Sequence, residues 1–286
     1  MTQSVEIFEV GPRDGLQNEV RHIPTEDKIR LVDLLSDCGF RRIEVTSFVS
    51  PKWVPQMSDA KEVMTHICRR SGTSYAALTP NLKGFARARE AGANEIAIFG
   101  SASEGFSQKN INCSIAESFE RFRPIIEIAK AGNVPVRGYV SCITDCPYDG
   151  RVPPSNTARV AETLFNMGCY EISLGDTIGA GTPDTISAML AAVTSAVPHQ
   201  NLAGHYHDTG GRALDNIDVS IAKGVTVFDA AVGGLGGCPY APGARGNVAT
   251  EAVVAHLQSH GIDTGIDASR LDAAKEFAMS LRGEHV

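Results

Sequence analysis

Three observations predict an α/β protein built as a (β/α)8 TIM barrel with an extra carboxyl-terminal helix. Eight short β-like runs alternate with helical patterns along nearly all of the 286 residues. No composition break or Pro/Gly/Ser linker interrupts them, so a single catalytic domain is expected, with the barrel over about 4–262 and an outer helix over about 267–283. Polar residues also gather where the runs end. A doubly wound open sheet is the alternative, but no G-x-G-x-x-G follows the first strand.

The elements follow in order. Val5–Val10 is the first strand, and its helix begins near Glu26, with Thr25 as N-cap, acids in the first turn and Gly39 at the end. Leu31, Val32, Leu35 and Cys38 share one face at helical spacing. Arg42–Ser47 is the second strand, with a helix from about Met57. Ser74–Leu78 is the third, and Asn81 opens a helix running to Gly92. Glu95–Phe99 is the fourth, and Ser114-Ile-Ala-Glu117 reads as a capping box for a helix to about Lys130 that Pro124 should kink. Val134–Ser141 is the fifth strand, and its helix spans Ser155 to Met167, closed by Gly168. Tyr170–Leu174 is the sixth, followed by a helix with Thr182 as cap and Pro183 at its first position. The seventh strand lies in Leu202–Thr209, before a helix to Lys223. Val225–Ala230 is the eighth, with its helix from Asn247 to His260, and Asp267–Leu281 packs outside.

Composition narrows the partners. A net charge of −7 and a pI near 5.6 argue against a nucleic-acid or anionic-membrane surface. No apolar run approaches the roughly 18 residues of a membrane helix, and no secretory signal opens the chain. Seven scattered cysteines fit reduced thiols in a cytoplasm better than a disulfide framework. Cys142 and Cys146 suggest a zinc half-site, but no second half-site completes it, and buried thiols are the stronger reading.

Barrel enzymes do their chemistry at the carboxyl ends of the strands. Here those ends carry Gly11-Pro-Arg-Asp-Gly-Leu-Gln17, Glu44 with Thr46 and Ser47, Arg137 with Tyr139, Gly175-Asp-Thr177, and His205 with His207. A glycine-rich loop from Gly233 to Gly243, containing Cys238, follows the eighth strand, and Asn247 comes next. His205 and His207 alternate within one strand, so both imidazoles project from one face. Such a pair suits a divalent metal, but spacing alone does not separate it from one surface and one core histidine. Taken singly, Asp14 reads as a turn residue beside Gly15, Glu44 and Asp176 as structural carboxylates, Asn247 as a helix cap and Cys238 as a buried thiol. Their convergence on one rim argues against all of these holding together.

Four segments carry a long resemblance: Val10 to Glu19, Thr46 to Met57, Gly168 to Gly179, and Gly234 to Ala241. Over about residues 5 to 265 the chain resembles the hydroxymethylglutaryl-CoA lyases, metal-dependent barrels that cleave 3-hydroxy-3-methylglutaryl-CoA into acetyl-CoA and acetoacetate. The wider group includes Claisen-condensing synthases such as isopropylmalate synthase. Carried over by motif, Asp14, His205, His207 and Asn247 hold a divalent cation. Arg13 faces the thioester carbonyl, and Glu44, Asp176 and Cys238 complete the catalytic group. His205 is an alternative to Asp176 for taking the hydroxyl proton, and Cys238 is the candidate donor to the enolate carbon. Gln17, Thr46, Ser47, Arg137, Tyr139 and Thr177, with Arg13, are the expected substrate contacts. Gly233 stands where many relatives have Ala and Gly210 where many have Tyr; neither change removes a functional group.

The mixed N/O ligand set favours Mg²⁺ or Mn²⁺ over a closed tetrahedral zinc site. The resemblance also implies a homodimer acting on a small acyl-CoA. Animal members carry a targeting segment and a cysteine-bearing tail that this sequence lacks, so neither import nor regulation through such a thiol is expected. The rivals are a condensing synthase, which usually adds a regulatory domain, and a barrel kept only for acyl-CoA or metal binding.

Overall fold

The computed structural model describes residues 4–236 and 246–282. Its strands are β1 (Glu6–Glu9), β2 (Arg42–Ser47), β3 (Ser74–Leu78), β4 (Glu95–Ser101), β5 (Val136–Ser141), a small hairpin of β6 (Asp145–Cys146) and β7 (Gly150–Arg151), β8 (Glu171–Asp176), β9 (Leu202–Tyr206) and β10 (Val227–Ala230). All but the hairpin close into a parallel barrel in the order β1-β10-β9-β8-β5-β4-β3-β2. The helices are α1 (Thr25–Ser36), α2 (Ala60–His66), α3 (Leu82–Glu90), α4 (Glu104–Ile111), α5 (Ile115–Ala131), α6 (Pro154–Met167), α7 (Pro183–Val193), α8 (Ala213–Ala222), α9 (Thr250–Ser259) and α10 (Ala268–Leu281). Among the described residues no helix is long and apolar enough to cross a membrane. The expected barrel and outer helix are therefore present.

Most helix ends follow the sequence signals. Asn81 accepts from Gly84 N–H (2.9 Å), Ser114 and Glu117 form the expected capping box, and Thr182 caps α7. Thr25 is a correction: it lies inside α1, and its hydroxyl donates to Asp59 instead (2.9 Å). Pro124 leaves α5 a single helix, because its buried face, including Phe119, Phe122, Ile125 and Ile126, is anchored on the barrel on both sides of the lost backbone bond. The hairpin and α4 were not foreseen.

The barrel interior is filled by layers of side chains, as its closure requires. On β5, Arg137 and Tyr139 point inward one layer apart. Arg137, fully buried, pairs with Asp229 on β10 (2.6 and 3.0 Å) and Glu171 on β8 (2.6 Å), and Arg42 also reaches Glu171 (2.9 Å). These two arginines and two acids are held in the barrel interior because each meets an opposite partner.

One acid ties the mouth of the barrel together. Glu9 at the end of β1 is fully buried and accepts from Gly11 N–H (2.8 Å), Val232 N–H (2.9 Å) and the Thr250 hydroxyl (2.6 Å). It thus joins the first strand-end turn to the segment after β10 and to the start of α9. Burial pushes its carboxyl up to about 7 despite those three donors. Gly11 is required here, since a Cβ would stand 2.6 Å from Glu9 Oε1. Glu9→Ala would strand two amides and a hydroxyl, so urea denaturation should show a loss of about 3 kcal/mol.

Candidate active site

Beyond β1 the chain makes one wide π-helical turn over Gly11–Gly15, in which the amides of Arg13, Asp14 and Gly15 all point at Val10 O. Such turns are rare and commonly serve function, because the extra residue re-aims side chains. This one aims Arg13 and Asp14 together. Arg13 Nε donates to Glu44 Oε2 (2.6 Å), Nη1 pairs with Asp14 Oδ1, and the guanidinium lies over the Tyr139 ring at 5.4 Å. Tyr139 donates its hydroxyl to the same Glu44 oxygen (3.0 Å). Among the described residues, Arg13 Nη2 has no hydrogen-bond partner.

Two strands along the barrel wall from β1, His205 lies near the end of β9 and His207 directly follows the strand, their rings 5.5 Å apart. His205 Nδ1 meets Asp229 Oδ2 at 3.0 Å, and its Nε2 lies 3.8 Å from Asp14 Oδ2. Among the described residues, the buried Nδ1 of His207 has no hydrogen-bond partner. Asn247, bridged to His207 in the backbone, donates its amide nitrogen to Asp14 Oδ2 (2.9 Å) and Leu235 O (3.2 Å). That use of the nitrogen spares the side-chain oxygen. It also overturns the capping alternative, because Ala249 precedes α9 and Asn247 makes no cap.

One ligand atom from each of Asp14, His205 and His207 falls within 4.8 Å of the others. An unsatisfied buried imidazole nitrogen beside a carboxylate is costly unless something binds it, so the donor set fits a divalent cation. The electrostatics agree. Burial would raise Asp14, but Arg13 and the two histidines outweigh it and hold the carboxyl down at about 2. Burial and the neighbouring His205 press His207 down to about 4, so it is neutral at pH 7. Burial also favours neutral His205, but the hydrogen bond and charge of Asp229, with Asp14, raise it. Burial raises Glu44, more strongly than Arg13 lowers it.

These groups open on a cavity of ≈ 1640 Å³ at the carboxyl end of the barrel. Arg13, Asp14, Gln17, Tyr139, Thr177, His205 and His207 line it, as do the unforeseen Ser141 and Asn110. Three expected substrate contacts are not among the lining residues. Arg137 sits one layer below Tyr139, about 6–7 Å deeper at ~3.3 Å per residue, with its charge spent on Asp229 and Glu171. Between Glu44 and Thr46 the β2–β3 register shifts, so simple alternation from Glu44 fails. Thr46 then turns its hydroxyl to Met57 Sδ (3.5 Å), and Ser47 Oγ accepts from Val49 N–H (3.3 Å).

Glu44 is fully buried and reaches the cavity through Arg13 and Tyr139. Asp176 faces away from the barrel axis: it follows cavity-lining Gly175 and accepts from Gly181 N–H (2.9 Å) in the β8–α7 turn. Its other oxygen has no hydrogen-bond partner among the described residues, and burial lifts its carboxyl to about 6. Cys238 lies outside the described residues. Sequence reading missed Glu9 and Asp229. The available signal was an acid in a strand otherwise made of core residues.

The HMGL-like family model matches residues 4–278. A curated relative from Gallus gallus, "Hydroxymethylglutaryl-CoA lyase, mitochondrial", is 58% identical over 269 residues, covering 94% of this chain and 90% of that protein. The crystal structure of the HMG-CoA lyase from Brucella melitensis superposes with a TM-score of 0.97 at 61% identity, covering 98% of this chain and 99% of the other. An HMG-CoA lyase from Acinetobacter baumannii, solved in complex with coenzyme A and 3-methylmalate, gives a TM-score of 0.92 at 39% identity over 97% and 91% of the two chains.

Proposed function

The chain belongs to the HMGL-like family, and from that premise we propose that it is a lyase cleaving 3-hydroxy-3-methylglutaryl-CoA into acetyl-CoA and acetoacetate. The observation that carries the reading is the placing of Arg13 beside the Asp14, His205 and His207 cluster in one cavity. The relatives' names favour cleavage over Claisen condensation, and the coenzyme A bound by one of them supports an acyl-CoA substrate.

In this reading Asp14, His205, His207 and the Asn247 oxygen hold Mg²⁺ or Mn²⁺. The chemistry such an ion supplies is acidification of a coordinated hydroxyl. Arg13 binds the thioester oxygen through Nη2 and meets the negative charge that develops there as the C–C bond breaks. Glu44 and Tyr139 hold the guanidinium in place, so little reorganisation is needed when that charge forms. Thr177 and Gln17 contact the acyl chain from the rim. Asp176 is turned into its own loop, and His205 has no lone pair left for the hydroxyl proton once Nε2 holds the cation and Nδ1 donates to Asp229.

The six cysteines among the described residues are free thiols, which supports a reducing, cytoplasmic setting, and the family resemblance supports a homodimer. Acetoacetate formed from the CoA ester and Mg²⁺ by purified protein tests the activity; none formed under metal-replete conditions rejects it. Cys238, assigned by resemblance to protonate the enolate carbon, should be separable from metal binding. Cys238→Ser is expected to keep bound metal while turnover falls by about 10²-fold, and unchanged turnover removes it from the mechanism.

A further inference from the structure

Arg137 and Asp229 stand below the cavity, and neither is among its lining residues. Yet Asp229 joins the buried layer to the site, since it contacts both Arg137 and His205. Its Oδ1 accepts from Arg137 Nη2 (2.6 Å), and its Oδ2 accepts from Arg137 Nη1 (3.0 Å) and Ser173 Oγ (2.8 Å) while lying 3.0 Å from His205 Nδ1. Three of these contacts are donors to an ionised carboxylate, which can only accept. The fourth must therefore be a donor as well.

We propose that Asp229, locked by Arg137, is a positioning residue that fixes the proton of His205 on Nδ1 and so presents its bare Nε2 to the cation. The inference rests on the reading of His205 as a metal ligand and adds the element that aims it. The geometry is that of a carboxylate–histidine–metal arrangement, in which the outer carboxylate sets tautomer and ring direction. A bidentate pair gives Asp229 two fixed bonds, so the carboxylate cannot swing with the ring. His205 Nε2 is then directed to the side where Asp14 Oδ2 lies 3.8 Å away. His207, by contrast, has no hydrogen-bond partner on its Nδ1 among the described residues, so the two imidazoles are held by different means.

Nitrogen NMR of protein carrying ¹⁵N-histidine tests the tautomer without any metal. In metal-free protein at alkaline pH, where the ring is neutral, His205 is expected to carry its proton on Nδ1. A proton on Nε2 overturns the proposal. Calorimetric Mn²⁺ titration tests the consequence. Asp229→Asn should weaken Mn²⁺ binding by about 10–100-fold. Because that change strands the Arg137 charge and risks unfolding, the double variant Arg137→Met with Asp229→Asn restores neutrality while Arg42 still pairs Glu171. The double variant should show the same loss of affinity, with kcat at saturating Mn²⁺ falling less than affinity. Wild-type affinity in a folded double variant overturns the proposal. Failure of the wild-type protein to bind Mn²⁺ would instead count against the metal reading, and the tautomer result would still decide the role of Asp229.

Discussion

Arg13→Met is expected to lower kcat by on the order of 10²–10³-fold, the cost of removing one donor to a developing oxyanion, while KM changes little. The guanidinium spends Nε on Glu44 and Nη1 on Asp14, and its one unpartnered nitrogen, Nη2, belongs to a residue of the cavity wall. A donor that acts on charge formed during cleavage gains its interaction at the transition state, so its loss appears in turnover. Methionine keeps much of the aliphatic stem, and the metal cluster does not include Arg13, so bound metal should stay near the wild-type level. A raised KM with normal kcat would make Arg13 a substrate anchor, and lost metal would make it a support for Asp14.

The same substitution carries a pH signature. Glu44 is fully buried, and Arg13 is the cation bonded to it. Burial already holds the Glu44 carboxyl above its ordinary range, and without Arg13 it rises further. A carboxyl raised on folding contributes stability below its unfolded value and loses that contribution as pH rises through the folded one. The variant should therefore be destabilised more at pH 8 than at pH 5.5 relative to wild type. Equal destabilisation at both values would show that Glu44 is not an uncompensated charge.

How much of this was legible in the sequence depends on what kind of signal each residue gives. The eight βα units were readable because period-2 and period-3.6 patterns persist over whole segments. The pairing of His205 with His207 was readable for the same reason. Alternation also placed Arg137 and Tyr139 on one face, but it carries no depth, so an arginine one layer below the mouth read as a substrate contact. Thr46 and Ser47 were misplaced because the irregularity after Glu44 is a property of the β2–β3 pairing and not of the β2 sequence. The carboxylate of Asp176 was expected in the site, and one residue of strand parity puts it on the other face. Asp229 gives no local signal for its role, since its partners Arg137 and His205 are 92 and 24 residues away.

Chelated, dialysed protein is expected to lose activity by 10³-fold or more and to regain it with Mg²⁺ or Mn²⁺, and His207→Ala should not be rescued by either ion. A bound cation is worth several kcal/mol of transition-state stabilisation, with a factor of ten for each ~1.4 kcal/mol. Full activity in protein shown metal-free by elemental analysis would reject the cation altogether. The two histidines differ in what binding must do to them. His207, lowered to about 4 by burial and by His205, is already a free base at pH 7. In metal-free protein its contribution to stability is present above 6.5 and is lost as pH falls through about 4. His205 has the opposite sign: raised above 6.5 by Asp229 and Asp14, it stabilises the fold below 6.5 and loses that contribution as pH rises through its folded value. A cation must therefore expel a proton from His205 and none from His207. Mn²⁺ affinity should climb with pH across the His205 titration and then level, with up to one proton released per ion. Calorimetry in buffers of different ionisation enthalpy reads that number. Release of two protons at pH 7 would show that the imidazole without a partner is not the neutral ligand described for His207, and pH-independent affinity would remove His205 from the coordination shell.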